Sequence, residues 1–90
     1  MTTVFRRHPD LRMTSLEGEG VVLHLGARRY FTVNETGFTI LEALETPKTF
    51  EELVAALMNE YDVERSQATA SAQAFVEQCR NADLIIEETR

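Results

Sequence analysis

The sequence predicts a small α+β domain in which a three-stranded antiparallel meander is followed by three helices. Residues that favour strands come in three short runs before Asn34, and apolar residues at helical spacing dominate after it. Asn34 itself has the short side-chain acceptor that a helix N-cap requires. Ninety residues with 43% hydrophobic content supply one core and leave no room for a second domain.

Three runs are expected to form the strands. Leu11 to Leu16 is a weak first strand and Val21 to Leu25 a strong second one, separated by the turn Glu17-Gly18-Glu19-Gly20. Gly26-Ala27 then links the second strand to the third, Arg29 to Val33, at a spacing that suits a hairpin.

The third strand is the most informative part of the chain. Arg29, Phe31 and Val33 alternate with Tyr30 and Thr32, which fits a strand with one face on a core. A strand at the boundary between sheet and helices can be an edge strand. Its unpaired amides and carbonyls would then accept another extended peptide.

Three amphipathic segments predict the helices. The first runs from about Glu35 to Leu44 and the third from about Glu64 or Ser66 to Asn81. The second begins at Thr49, where Glu52 completes a capping box. Leu84-Ile85-Ile86 is expected to return to the core. The helical residues expected to face the core are Phe38, Leu41 and Leu44 (with Ile40 at the edge of that stripe), Leu53, Leu57 and Tyr61, and Ala68, Ala72, Phe75, Val76 and Cys79.

A meander beside three helices is a winged-helix-like arrangement, which raises the alternative of a DNA-binding module. The charges oppose that alternative. Nine basic and fifteen acidic residues give a net charge of -6. The third helix is neutral, and the second has three glutamates and no lysine or arginine. We therefore expect no nucleic-acid partner.

The ends of the chain predict no membrane association. No segment has the apolar length of a signal peptide core or of a bilayer span, so we expect a cytoplasmic protein without a membrane partner. The apolar pattern starts at Leu11. Residues 1–10 are therefore expected to be a mobile tail and residues 11–90 the folded domain.

No residue pattern predicts catalysis, a metal or a cofactor. His8 and His24 have no second histidine or carboxylate at ligand spacing in the sequence, so we expect a solvated His8 and a strand-surface His24. Cys79 falls on the core seam of the third helix and is expected to be a buried thiol, not a nucleophile. The protein is therefore expected not to be an enzyme.

The stretch from Gly26 to Gly37, followed by Ile40-Leu41-Glu42-Ala43-Leu44 and by Thr49-Phe50-Glu51-Glu52-Leu53, resembles the PqqD family. The similarity continues through Tyr61-Asp62-Val63 and the third helix, covering about Gly20 to Ile86. It implies a recognition element for RiPPs, the ribosomally made and post-translationally modified peptides. Such a peptide chaperone binds the leader of a precursor peptide and presents it to modifying enzymes. In that family the leader adds to the edge of the third strand, in the cleft against the third helix.

The branch of the family is a further expectation. At Leu25-Gly26-Ala27-Arg28 the chain departs from the quinone-cofactor branch, which has a Leu-Tyr-Pro-Glu-like stretch there. The chain looks more similar to the small free-standing members of lasso-peptide clusters. The partners of those members are a leader peptidase and an ATP-dependent cyclase. A radical SAM enzyme of a quinone-cofactor or other RiPP pathway stays the alternative partner.

The resemblance places the peptide site between the third strand and one flank of the third helix. That flank is mostly small, and Phe75 is expected to be the floor of the cleft, with Tyr30, Phe31 and Val33 as its opposite wall. The other flank, with Thr69, Gln73 and Arg80, is more polar. Two alternatives stay open, since these residues could form only a core or could pair two copies through the same edge. The predicted binding residues are Arg28, Arg29, Tyr30, Phe31, Thr32, Val33, Ser71, Ala74, Phe75 and Gln78.

Overall fold

The elements of the chain follow one another in the order β1 to β4, α1, β5, α2, α3 and β6 in a computed structural model, which describes residues 1–17 and 19–89. The strands are β1 (Thr3–Arg7), β2 (Leu11–Leu16), β3 (Glu19–His24), β4 (Arg29–Val33), β5 (Lys48–Thr49) and β6 (Ile85–Thr89). The helices are α1 (Glu35–Ala43), α2 (Phe50–Glu60) and α3 (Arg65–Asn81). The α+β class and the three helices are as predicted.

The predicted meander is the sheet β2-β3-β4, with both strand pairs antiparallel. Its second strand begins at Glu19, two positions earlier than expected, and ends at His24. Glu19 and Gly20 extend the strand because they pair with Leu16 and Ser15 of β2, and the missing side chain of Gly20 leaves room for the Phe38 ring of α1. Of the predicted turn, Glu17 has a positive φ of 50° and Gly18 lies outside the described residues.

A second sheet, with the order β5-β1-β6, was not predicted. The expectation of a mobile tail over residues 1–10 is wrong for Thr3–Arg7, which pairs antiparallel with β6 from Thr3 opposite Thr89 to Arg7 opposite Ile85. Val4 and Phe5 of β1 are both buried, and β1 is the middle strand of this sheet. Leu84 and Ile85 return to the core as predicted.

The helix starts follow the local sequence. The Gly37 N–H donates to Asn34 Oδ1 over 2.8 Å, which fixes the first turn of α1 directly after β4. The predicted capping box of α2 is confirmed: the Glu52 N–H donates to Thr49 Oγ1, and the Thr49 N–H donates to a Glu52 carboxylate oxygen. Within the described ranges, no helix combines the length and apolar character needed to cross a bilayer.

The core lies between the meander and the three helices. Ala68, Ala72, Val76 and Cys79 form the buried seam of α3 as predicted. The stripe of α1 is rotated relative to the prediction. Ile40 is 0% exposed, whereas Phe38 is only half-buried because its ring packs at the margin of the sheet over Gly20.

Candidate functional site: an open strand edge beside a helical pocket

Strand β4 is an edge strand of the meander, and no other strand of residues 1–17 and 19–89 lies beyond it. The Leu25 N–H donates to the Asp10 carbonyl over 3.1 Å, so Asp10 and Leu25 form a hydrogen-bonded pair at the end of the β2-β3 ladder. Such pairs alternate along an antiparallel ladder. Following the register across β3 to β4, the N–H and C=O groups of Tyr30 and Thr32 point outward from the sheet. Four main-chain groups are thus presented at this edge.

Side chains of β4 divide between the two faces of the sheet. Phe31 and Val33 are half-buried and pack against the core, whereas Tyr30 is 73% exposed on the opposite face together with Thr32. The prediction that Tyr30 forms a wall of the cleft is therefore wrong for its side chain. Its main chain lies on the open edge, where strand pairing takes place.

A pocket of about 240 Å³ lies where β4 passes into α1, between the start of α1 and the exposed flank of α3. Of the predicted binding residues, Ser71, Ala74, Phe75 and Gln78 come together here, on the flank that was favoured over Thr69, Gln73 and Arg80. Arg28 to Val33 do not line this pocket. The three further lining residues, which sequence reasoning missed as part of the site, are Asn34, Thr36 and Gly37.

Close packing of Phe75 on Gly37 sets the shape of this pocket. A Cβ atom at Gly37 would lie 2.5 Å from Phe75 Cε1 and 2.9 Å from Cζ, so only glycine allows the ring to lie against the first turn of α1. Phe75 is half-buried as a result and offers part of its ring to the pocket. A glycine in the first turn of a helix was the available sequence signal for this close approach.

A smaller pocket of about 130 Å³ continues along α3 toward its N-terminus. Thr36 and Ser71 line both pockets, and Leu57, Tyr61 and Val63 give the second one an apolar wall. The Tyr61 hydroxyl is 2.9 Å from Thr39 Oγ1, which holds the phenol ring at the α1–α2 boundary. The two pockets form one groove, which we call the α3 groove.

The two arginines at the β3-β4 hairpin are exposed. Arg28 has a positive φ of 57° in the turn, and neither Arg28 nor Arg29 forms an ion pair within the described ranges. Their charges are therefore accessible to a ligand at the start of the open edge. At an exposed position an ion pair contributes only about 0–1 kcal/mol.

Cys79 is a structural thiol, as predicted. It is 1% exposed, and burial raises its pKa to about 12. A thiol that stays protonated at neutral pH is a poor nucleophile and a poor metal ligand. Cys79 therefore contributes packing to the α3 seam.

The expectation of a solvated His8 and a strand-surface His24 is wrong. The rings of His8 and His24 lie 4.4 Å apart, His24 is 3% exposed, and ligand atoms of His8, Asp10 and His24 lie within 4.8 Å of one another. Both Nδ1 atoms accept backbone N–H groups, from Asp10 over 3.0 Å and from Ala27 over 3.1 Å. His24 Nε2 lies 3.1 Å from the Asp83 carbonyl oxygen. A metal ion would have to displace these bonds, so the arrangement fits a hydrogen-bonded clasp at the junction of the two sheets. The pairing was missed because it joins the loop after β1 to the end of β3, which are separate in the sequence.

This geometry, an open edge strand next to a groove on a neighbouring helix, fits a class of domains that bind a peptide as an added strand. Two solved structures with this fold are complexes with peptides. "TbiB1 in Complex with the TbiA(beta) Leader Peptide" has 29% identity and a TM-score of 0.76, with coverage of 89% of this chain and 93% of that chain. "Lasso peptide synthetase B1 complexed with the leader peptide" has 23% identity and a TM-score of 0.74, covers 91% of this chain and 96% of that one, and adds support for the fold alone.

The family profile described as "Coenzyme PQQ synthesis protein D (PqqD)" matches residues 19–85. The chain therefore belongs to the PqqD family, as its resemblance indicated. No curated protein sequence matches it significantly.

Proposed function

We propose that this protein is a non-catalytic binding protein for the leader segment of a ribosomally made precursor peptide. The observation that supports this most directly is the open β4 edge, which runs into the α3 groove at Asn34. The 29% identical neighbour, solved with a leader peptide, has the same fold over 89% of this chain. The leader would add to β4 as a further strand and place alternate side chains into the groove.

Main-chain pairing alone is too weak for this task. The outward N–H and C=O groups of Tyr30 and Thr32 allow four hydrogen bonds, which contribute about 2–6 kcal/mol before association entropy is subtracted. A nanomolar complex requires about 12 kcal/mol. Apolar side chains of the leader therefore have to fill the α3 groove, and the groove must supply most of the sequence specificity.

The chemistry of the groove defines what it would select. Phe75 at its floor and Leu57, Tyr61 and Val63 in its second part suit an aromatic or aliphatic side chain. The first pocket is large enough for one large side chain, and the second is large enough for a smaller one. Asn34, Ser71 and Gln78 provide polar atoms at the rim for main-chain groups of the leader.

The pathway partners are part of the same proposal. The departure from the quinone-cofactor pattern at Leu25-Gly26-Ala27-Arg28 favours a lasso-peptide pathway, in which a leader peptidase and a cyclase act on the bound precursor in the cytoplasm. A radical SAM enzyme is the alternative partner. The genes beside this one distinguish the two: a short precursor, a peptidase and an asparagine-synthetase-like cyclase support the first, and a radical enzyme without a peptidase supports the second.

A charge inserted into the groove tests the proposal. Ala74 lines the first pocket, is exposed, and has no buried role, so Ala74→Arg should fill the groove without disturbing the core. Ala55→Arg is the matched control, since Ala55 is also an exposed helical alanine but lies on α2 outside both pockets. The probe is a fluorescein-labelled leader segment of the precursor encoded beside this gene, measured by fluorescence anisotropy.

We expect wild type and Ala55→Arg to bind the probe equally and Ala74→Arg to lose at least about tenfold in affinity, with circular dichroism spectra that all match. Equal binding by Ala74→Arg would exclude the α3 groove as the site. A wild-type protein that does not bind the probe at all would overturn the proposed function.

A further inference from the structure

The meander has a second face that no helix or strand of residues 1–17 and 19–89 covers. The buried side chains of the sheet, such as Leu11 and Val22, point to the helices, and their neighbours along each strand point the other way. Two cross-strand rows result on the uncovered side. One row is Arg12, Leu23 and Tyr30, and the other is Thr14, Val21 and Thr32. We call this side the open face.

The open face concentrates the exposed apolar side chains of the protein. Six large hydrophobic side chains are exposed in the described ranges, and three of them belong to this side of the meander: Leu16 at 60%, Leu23 at 40% and Tyr30 at 73%. A fourth, Leu25 at 47%, lies in the turn that follows β3. Single exposed apolar residues are ordinary on protein surfaces, whereas a contiguous patch marks an interaction site.

We propose that the open face is the docking surface for the enzyme that cleaves or modifies the captured peptide; this rests on the proposed function. The face is continuous with the edge at which the leader would bind, because Tyr30 and Thr32 belong to both. A strand added to β4 places every second side chain in the α3 groove and the others on the open face, beside Tyr30 and Thr32. The enzyme would thus contact the protein and its bound peptide at once.

Electrostatic repulsion disfavours a second copy of the chain as the partner that covers the open face. The outward strand residues of the open face include one cation, Arg12, and one anion, Glu19, so the face is nearly neutral. The whole chain has a net charge of -6, and two copies would repel each other. A partner with a complementary apolar surface and few acidic residues meets no such penalty.

The size of the open face indicates a transient complex, in which the enzyme prefers the protein that has a peptide bound (the loaded protein). Three strands of about six residues present a plan area of about 300 Å², which a captured strand extends to about 400 Å². A stable interface buries about 800 Å² on each partner. The captured peptide therefore adds a substantial fraction of the contact, and the enzyme should bind the loaded protein more tightly than the empty one.

Leu23→Glu tests the open face because Leu23 lies in its central strand, and β4 separates it from a leader strand added at the edge. Met58→Glu is the matched control, since Met58 on α2 has a similar exposure of 37% compared with 40% for Leu23. The enzyme encoded beside this gene is immobilised, and binding of each variant is measured by biolayer interferometry with and without the labelled leader. Leader affinity itself is measured separately by anisotropy.

We expect Leu23→Glu to weaken enzyme binding at least about tenfold while its leader affinity stays within about twofold of wild type, and Met58→Glu to change neither. Unchanged enzyme binding by a folded Leu23→Glu, or equal enzyme affinity with and without leader, would overturn the docking proposal and leave the leader-binding function intact. Light scattering that shows a wild-type dimer and a Leu23→Glu monomer would assign the face to a second copy instead. A wild-type protein that does not bind the labelled leader would instead count against the proposed function.

Discussion

Replacing single residues of β4 with proline should separate peptide capture from folding. The Thr32 N–H points outward from the meander, so Thr32→Pro removes one donor for an added strand and leaves the β3-β4 ladder complete. The Phe31 N–H points inward toward Val22. Phe31→Pro therefore breaks the ladder and leaves the carbonyl of Val22, a residue that is 0% exposed, without its partner.

Thr32→Pro is expected to change leader affinity, whereas Phe31→Pro is expected to change folding stability. One lost hydrogen bond contributes about 0.5–1.5 kcal/mol, so Thr32→Pro should raise the dissociation constant for the leader by about 2- to 13-fold and change the free energy of unfolding little. Phe31→Pro leaves a buried carbonyl unsatisfied, which costs about 1–3 kcal/mol of folding stability. Anisotropy with the labelled leader measures the first quantity, and urea unfolding followed by circular dichroism measures the second.

Either of two results would contradict strand addition at the β4 edge as described. If Thr32→Pro is folded and binds the leader as tightly as wild type, the leader does not pair with this edge. If Thr32→Pro unfolds as readily as Phe31→Pro, the assignment of inward and outward N–H groups along β4 is wrong.

Three other predictions concern the core and the caps. Gly37→Ala should displace the Phe75 ring, lower the free energy of unfolding in urea by about 1–3 kcal/mol and weaken leader binding. An unchanged leader affinity would show that peptide recognition does not depend on the position of this ring. Cys79, whose pKa burial raises to about 12, should react with Ellman's reagent at pH 8 only after unfolding, and rapid labelling of the native protein would contradict its burial. The backbone hydrogen bond from Thr49 lowers the pKa of Glu52, so its contribution to stability should be complete above about pH 4.5 and decline as the pH falls through the lowered value. Glu52→Gln should flatten this part of the pH profile of thermal unfolding, and a profile identical to wild type would exclude the contribution.

The predictions that the structure confirms depend on local signals. The Asn34 cap, the Thr49–Glu52 box and the alternation of Phe31 and Val33 are each encoded within a few neighbouring residues, and the strands and helices around them follow. The small flank of α3 brings Ser71, Ala74, Phe75 and Gln78 together in one pocket, and their role in peptide binding stays a prediction.

Features that the sequence did not reveal depend on pairing between distant residues. Strand β1 has only Val4 and Phe5 as apolar residues, and its partner β6 lies about eighty positions away, so neither is recognisable as a strand by itself. The clasp of His8 and His24 was missed for the same reason, because it joins the loop after β1 to the end of β3. Residues at the start of α1 were missed as part of the site, because Gly37 becomes a pocket residue only when Phe75 packs against it.

The pairing of Thr3 with Thr89 brings the first and last strands side by side in a sheet separate from the meander. Antiparallel partners lie about 4.5–5.5 Å apart, so a linker of a few residues could join them into a closed ring at a small entropic cost. New ends could then be placed in an exposed connection such as Glu45-Thr46, between α1 and β5. The domain can also be grafted as a cassette into a loop of another protein, with both junctions adjacent and the β4 edge left free.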